Sequence, residues 1–93
     1  MDISKGDIVV SLAGRDQEKL FFVISCDEQY VTVAEGKSRK LERPKRKKRK
    51  HVRFVSRTDS RVAGKILSGE PVLNSELRRA LAVFGQDGPN QGG

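Results

Sequence analysis

The fold is decided by the stretch from Leu20 to Ala34, which reads LFFVISC, then DEQ, then YVTVA. The first part is almost continuously apolar and rich in β-formers, which is typical of a strand covered on both faces. The three polar residues after it favour a tight turn. In the last part, Val31 and Val33 alternate with Thr32, as in a strand that buries one face. The stretch therefore predicts a β-hairpin.

The residues on either side of this hairpin also have the period of strands. Residues 8–12 alternate and end in the turn-like sequence 13–16. A short fourth strand is predicted at 40–42, because Pro44 cannot donate to a ladder and marks an exit. Residues 51–56 predict a fifth strand, with Val52 and Phe54 inward. Five short strands in about fifty residues predict a mainly β fold, a small SH3-like barrel. The alternative is an open meander with a helix over one face.

After Ser56 the period of the sequence becomes that of helices. Thr58 or Asp59 can cap a short helix that ends at Gly69. A second helix is predicted from residue 74 or 75 to residue 85, with an apolar stripe of Leu77, Ala80, Leu81 and Phe84. We expect this stripe to pack on the barrel. The predicted organisation is a barrel at 1–57, a helical extension at 58–85 and a disordered tail at 86–93.

Positive charge is concentrated between Lys37 and Arg53. The whole chain has a net charge of +7, yet this segment alone carries eleven basic residues and one acid, Glu42. The remainder of the chain is slightly acidic, so a partner with dense negative charge is expected. The contact residues predicted from the segment are Lys37, Arg39, Lys40, Arg43, Lys45, Arg46, Lys47, Lys48, Arg49, Lys50, His51 and Arg53.

Six of these cations are consecutive, from Lys45 to Lys50. Phosphates would relieve their mutual repulsion and release condensed counterions. The sequence PKRKKRK also matches a short nuclear import signal, and a solvated loop without a partner is the third interpretation. Import signals are commonly on free tails, whereas this run lies between two predicted strands. We therefore favour a phosphate-binding surface.

Nothing in the sequence indicates catalysis. His51 is the only histidine and Cys26 the only cysteine, so neither a zinc site nor a conventional triad has its residues. We expect Cys26 to be buried filler, and Tyr30 and the four Phe to be mostly core. No enzyme activity, cofactor or metal is expected.

The sequence also contains no apolar run of membrane-spanning length and no apolar segment typical of a secretory signal. A lone cysteine suits a reducing compartment. We therefore expect a cytoplasmic protein that does not interact with membranes and that is a monomer when free.

Residues 6–16, GDIVVSLAGRD, followed by KLFFVI at 19–24, resemble the KOW motif, which pairs two strands around a glycine-containing loop. With Glu35-Gly36 closing the third strand and the basic segment after it, residues 3–56 resemble bacterial KOW-domain proteins. These are related to the large-subunit ribosomal proteins fourteen-e and twenty-seven-e.

The resemblance implies an SH3-like barrel that binds ribosomal RNA through the first loop and the basic segment. Gly14 and Arg15 would lie in that loop and Lys19 at its exit, with 45–51 as the main surface. Gly14 is equally explained as a turn glycine that needs a positive φ. Glu18 departs from the family pattern, because relatives often have a second glycine there, so the loop is expected to be stiffer.

These observations favour a ribosomal or ribosome-associated RNA-binding protein. One alternative is a transcription-linked or protein-binding KOW/SH3-like module. Another is a helix-turn-helix DNA binder at 60–84, although the seven residues from Ser68 to Asn74 make a long connection for that motif.

Overall fold

The computed structural model describes residues 2–58 and 60–86 of the chain. Its strands are β1 (Ile8–Ser11), β2 (Leu20–Cys26), β3 (Tyr30–Ala34), β4 (Lys45–Lys48) and β5 (Val52–Ser56). Two helices follow, α1 (Arg61–Ser68) and α2 (Asn74–Gln86). The strands form one antiparallel sheet in the order β4-β3-β2-β1-β5. The two edge strands, β4 and β5, do not pair, so the sheet is not closed and the predicted barrel is not confirmed.

The sheet has a hydrophobic core on each face, and β2 contributes to both. One core contains Phe21 and Val23 of β2, together with Ile3, Val9, Val31, Val33 and Val52. The other contains Phe22 of β2, together with Ile8, Ala34, Val62, Ile66, Leu77 and Leu81. The prediction that β2 is covered on both faces is therefore confirmed. Each large side chain fully buried here contributes about 1.5–3 kcal/mol of hydrophobic free energy.

The helices provide the cover for the second core. Ser60 caps α1, because its Oγ accepts the N–H of Ala63 at 3.2 Å. The sequence predicted Thr58 or Asp59 as the cap. The prediction is wrong for Thr58, whose hydroxyl lies 3.0 Å from the hydroxyl of Ser60. Asp59 lies outside the described residues. Gly69, with φ of 80°, ends α1 as predicted.

Helix α2 packs on the sheet through its predicted stripe. Leu77 is fully buried, Leu81 is nearly so, and Ala80 and Phe84 pack against the same core. The expectation that this helix docks on the strands is confirmed. The helix extends one residue past Gly85, where it was predicted to end. The tail predicted at 86–93 lies outside the described residues from 87 onward.

The fourth strand is not where the sequence predicted it. Residues 40–43 form a turn in which the N–H of Arg43 donates to the carbonyl of Lys40 at 2.9 Å. Leu41 packs against the second core instead of pairing with a strand. The basic run itself forms β4, because backbone pairing with β3 depends little on the side chain and an edge strand leaves cations accessible to water.

Two further predictions are corrected by the structure. Cys26 is exposed rather than buried; it is the last residue of β2, and the final two residues of that strand are both exposed. The connection between α1 and α2 has five residues, 69–73, so it is shorter than the seven that the sequence suggested.

Neither helix in the described part of the chain has the length and apolar character of a membrane span.

Candidate nucleic-acid interface

Pairing with β3 divides the cations of β4 between the two faces of the sheet. Lys47 lies opposite Val31, which is fully buried in the first core. Lys48 lies opposite Tyr30, and Arg46 lies opposite Thr32. Paired residues place their side chains on the same face, and successive residues alternate. Lys47 therefore points toward the core, whereas Arg46 and Lys48 point away from it.

The inward cation is neutralised by Asp16. The Nζ of Lys47 lies 3.5 Å from Oδ2 of Asp16, and both side chains are nearly buried, with 10% and 5% exposure. Arg39 Nε donates to the same oxygen at 3.1 Å, and the Nζ of Lys19 lies 3.9 Å from Oδ1. Lys19, Arg39 and Lys47, all predicted contact residues, thus converge on one carboxylate.

The ionisation of Asp16 reflects this arrangement. Burial raises its pKa, while the hydrogen bond from Arg39 and the charges of Arg39 and Lys47 lower it. The attractive contacts outweigh burial, so the pKa of Asp16 lies below its usual value. Asp16 is therefore a charged anchor that ties the turn at 14–16 to the basic segment.

Two arginines of the run are held by the turn between β2 and β3. Arg49 donates from Nε to the carbonyl of Asp27 at 2.7 Å and from Nη1 to that of Ile3 at 2.9 Å. The guanidinium of Arg46 lies 3.9 Å above the centroid of the Tyr30 ring and 3.6 Å from the Asp27 carboxylate. The N–H groups of Tyr30 and Gln29, together with Arg46, lower the pKa of Asp27.

The remaining cations of the run face solvent. Lys45, Lys48 and Lys50 are exposed. Among the described residues, no hydrogen bond or ion pair engages their side chains, in contrast to Arg46, Lys47 and Arg49. Lys45 pairs with Val33 and so lies on the same face as Lys47, but at the exposed start of β4, whereas Lys48 lies on the opposite face. We call Lys45, Lys48 and Lys50, the last of which is in the 3-10 turn at 49–51, the outward lysines because their side chains are exposed.

The other predicted contact residues are spread around this strand. Lys37, Lys40 and Arg43 lie on the connection between β3 and β4, all exposed. That connection is held against α2, where Arg78 Nη1 donates to the carbonyl of Gly36 at 2.6 Å. His51 and Arg53 are exposed next to and within β5, at the other edge of the sheet. Only the residues at 45–50 form a continuous run of cations.

The first loop has two residues with positive φ. Gly14 has φ of 79° with open space around it. The positive φ of this turn is sufficient to explain why the residue is a glycine. Arg15 beside it is exposed. Glu18 has φ of 70° and is the only non-glycine residue with a positive φ among those described. A residue with a Cβ is strained at this φ, so the loop carries backbone strain there.

A cavity that was not predicted from the sequence lies beside two of the outward lysines, Lys48 and Lys50. It has a volume of about 330 Å³ and is lined by Gln29, Tyr30, Lys48 and Lys50. Tyr30 was predicted to belong to the core, but it is only half-buried. The exposure of Tyr30 could have been predicted from the alternation of Val31 and Val33, because the alternation places Tyr30 on the opposite face with Thr32.

A larger cavity of about 510 Å³ lies between α1, α2 and the sheet. Its lining is mostly apolar and includes Phe22, Val62, Ala80, Val83 and Phe84. None of the predicted contact residues lines it. Within the described residues, no three His, Cys, Asp or Glu side chains are grouped so as to hold a metal ion. No known protein-family model matches the sequence, and no curated protein matches it significantly.

Proposed function

We propose that the protein is a non-enzymatic RNA-binding protein and that ribosomal RNA is its target. The contact surface is the exposed edge formed by β4 and the 3-10 turn that follows it. The observation that carries this proposal is the separation of charges within one basic run: Lys47 is neutralised by Asp16, whereas Lys45, Lys48 and Lys50 have no partner among the described residues. The protein would act as a ribosomal or ribosome-associated component.

A strand suits the recognition of a phosphate backbone. Residues in a strand rise about 3.3 Å each, so the backbone of the edge strand holds Lys45 and Lys48 at a fixed separation of about 10 Å along its length. Unpaired cations at close spacing repel one another, and phosphates remove that repulsion while releasing counterions. Such contacts provide affinity and register, and the shape of the RNA provides selectivity.

The arrangement of the helices disfavours the DNA-binding alternative. A helix-turn-helix protein inserts its second helix into the major groove. Here α2 packs against the sheet through Leu77 and Leu81, and Arg78 on another side of that helix is bound to Gly36. Apart from Arg78, the basic residue on α2 is Arg79, which is exposed. One free cation provides too few contacts for a helix that reads DNA.

The finer fold assignment is also a proposal. We propose that the sheet is an incompletely closed SH3-like barrel. One 3-10 turn, Arg49–His51, joins the two edge strands. Val52 of β5 shares a core with Val31 and Val33, which pair with β4. A cytoplasmic location and a monomeric free state accompany the ribosomal target in this proposal.

Fluorescence anisotropy with fragments of structured ribosomal RNA tests the function. The variant Lys45→Gln/Lys48→Gln/Lys50→Gln removes the outward lysines and should lower affinity at least about tenfold. The control Lys5→Gln/Arg61→Gln/Arg79→Gln removes the same charge from exposed positions elsewhere and should lower it less than about threefold. Equal losses would mean that net charge alone drives binding, which contradicts the proposed surface.

The identity of the RNA needs a test in cells. Crosslinking followed by sequencing of the attached RNA should enrich ribosomal RNA. Enrichment of other RNAs would overturn the ribosomal target. Absence of any RNA binding by the purified wild type would overturn the proposed function and favour the protein-binding alternative.

A further inference from the structure

We infer that the protein takes one unpaired RNA nucleotide into the cavity formed by Gln29, Tyr30, Lys48 and Lys50. The inference rests on the proposed RNA binding and adds a structural requirement, namely a bulge, loop or end beside the bound backbone. The cavity of about 330 Å³ is at the small end of the range of ligand pockets, as expected for a ligand the size of a nucleotide.

The aromatic wall of the cavity is Tyr30. One face of its ring is covered by the Arg46 guanidinium at 3.9 Å. Arg46 does not line the cavity, so the cavity borders a part of the ring that Arg46 leaves uncovered. Unstacked bases pack on tyrosine rings in proteins that bind single-stranded RNA, and a neighbouring arginine strengthens the stack.

The polar groups of the cavity suit the rest of a nucleotide. Lys48 and Lys50 supply ammonium groups for a phosphate, and both are exposed without a partner among the described residues. The side-chain amide of Gln29 can both donate to and accept from the edge of a base. A base inside a duplex has its faces covered by its neighbours, so only an unpaired base can contact the ring.

Local hydrogen bonds hold the site in place before any ligand binds. The Asp27 carboxylate accepts the N–H of Gln29 at 2.9 Å and that of Tyr30 at 2.8 Å. The N–H of Arg49 donates to the carbonyl of Gln29 at 2.9 Å, which ties the two sides of the cavity together. The cost of ordering these residues on binding is therefore already met by the fold.

Tyrosine fluorescence gives a direct test, because Tyr30 is the only tyrosine and the chain has no tryptophan. Two blunt-ended RNA duplexes without a loop are compared, identical except that one has a single unpaired nucleotide. The bulged duplex should bind about tenfold more tightly and quench the fluorescence of Tyr30, whereas the paired duplex should bind without quenching it. Equal affinity or equal quenching for the two duplexes would overturn the inference.

Variants at Tyr30 separate the cavity from the rest of the surface. Tyr30→Leu should abolish the preference for the bulged duplex and leave affinity for the paired duplex within about twofold. Tyr30→Phe should retain the preference. If Tyr30→Leu keeps the preference, the base binds elsewhere. If wild type binds both duplexes equally, only this inference fails, whereas binding to neither also removes the proposed function.

If Tyr30→Leu does not fold, a fluorescent adenine analogue at the unpaired position measures stacking with the wild-type protein. Its emission should fall on binding. An unchanged emission, with the RNA bound, would show that the base does not enter the cavity.

Discussion

The Nζ of Lys47 lies 3.5 Å from Oδ2 of Asp16, so one residue within a run of six cations forms a nearly buried ion pair. The next residue, Lys48, lies on the other face of the same strand. Because side chains alternate along a strand, these two neighbouring lysines have different surroundings. Lys47 connects β4 to the first loop through its ion pair, and Lys48 is available to a ligand.

Replacing Lys47 and Lys48 one at a time should show that the first contributes mainly to the stability of the fold and the second mainly to RNA affinity. Lys47→Gln removes one counter-charge of Asp16 and should lower the free energy of unfolding by about 1–2 kcal/mol, since Arg39 remains. Lys48→Gln should change it by less than about 0.5 kcal/mol, as at most surface positions. RNA affinity should respond in the opposite order. Urea denaturation and RNA titration of both variants check this, and equal destabilisation would contradict the division of roles.

Stability should fall in acid because of Asp16. Its pKa is lower in the folded chain than in the unfolded chain. A carboxyl of this kind stabilises the fold above its unfolded pKa, and the contribution is lost as the pH falls through the folded pKa. Denaturation should therefore be nearly independent of pH between about 5 and 7 and easier below about 4.

The variant Asp16→Asn should lower the free energy of unfolding at pH 7 by about 2–3 kcal/mol, because Lys47 keeps its charge and loses its partner. Its stability should also decline less in acid than that of the wild type. Glu76, whose pKa is lowered by Lys65 and by the N–H of Leu73, leaves some acid sensitivity in both proteins. An identical acid profile for wild type and Asp16→Asn would show that Asp16 does not carry this effect.

Replacing Glu18 by glycine should stabilise the protein. Its φ of 70° is strained for a residue with a Cβ, and glycine removes that strain at some cost in chain entropy. A net gain of about 0.5–1 kcal/mol is expected, measured as a higher melting temperature. Gln17→Gly is the control, because Gln17 has φ of −51° and gains nothing from glycine. Stabilisation by both changes, or by neither, would contradict the strain argument.

Gly36 and Gly64 should respond in opposite ways to alanine. Gly36 has φ of 88°, and a Cβ there would overlap the carbonyl oxygen of Asn74 at the start of α2. Gly36→Ala should cost several kcal/mol, with a correspondingly lower melting temperature. Gly64 lies exposed within α1 with nothing near it, so Gly64→Ala should gain about 1 kcal/mol. A harmless Gly36→Ala would mean that α2 is not held by the β3–β4 connection as described.

Much of the fold could be predicted from the period of apolar residues. The strands at 20–26 and 30–34 and the stripe of α2 were predicted because they combine strong periodicity with deep burial. The position of the fourth strand could not be predicted in this way, because Lys45–Lys48 has no apolar residue and is held by backbone pairing with β3. Leu41 gave a misleading signal, since its side chain belongs to the helical side of the core.

The candidate site was predicted only as a set of charges. Sequence composition identifies the basic run, but it cannot show that Asp16 lies beside Lys47, because 31 positions of chain separate them. The cavity at Tyr30 likewise depends on the turn at Asp27 and the register of β3 against β4. Contacts between residues distant in sequence decide which cations are neutralised.

The salt dependence of RNA affinity tests the central claim most directly. If the wild type engages about five phosphates, a plot of log K against log salt concentration should have a slope of about −3.5 to −4.5. Removing the outward lysines by Lys45→Gln/Lys48→Gln/Lys50→Gln should make that slope shallower by about 2–3, whereas Lys47→Gln should change it by less than about 0.5. A wild-type slope shallower than about −1, or a slope unchanged in the triple variant, would contradict the assignment of the β4 edge as the RNA-binding surface.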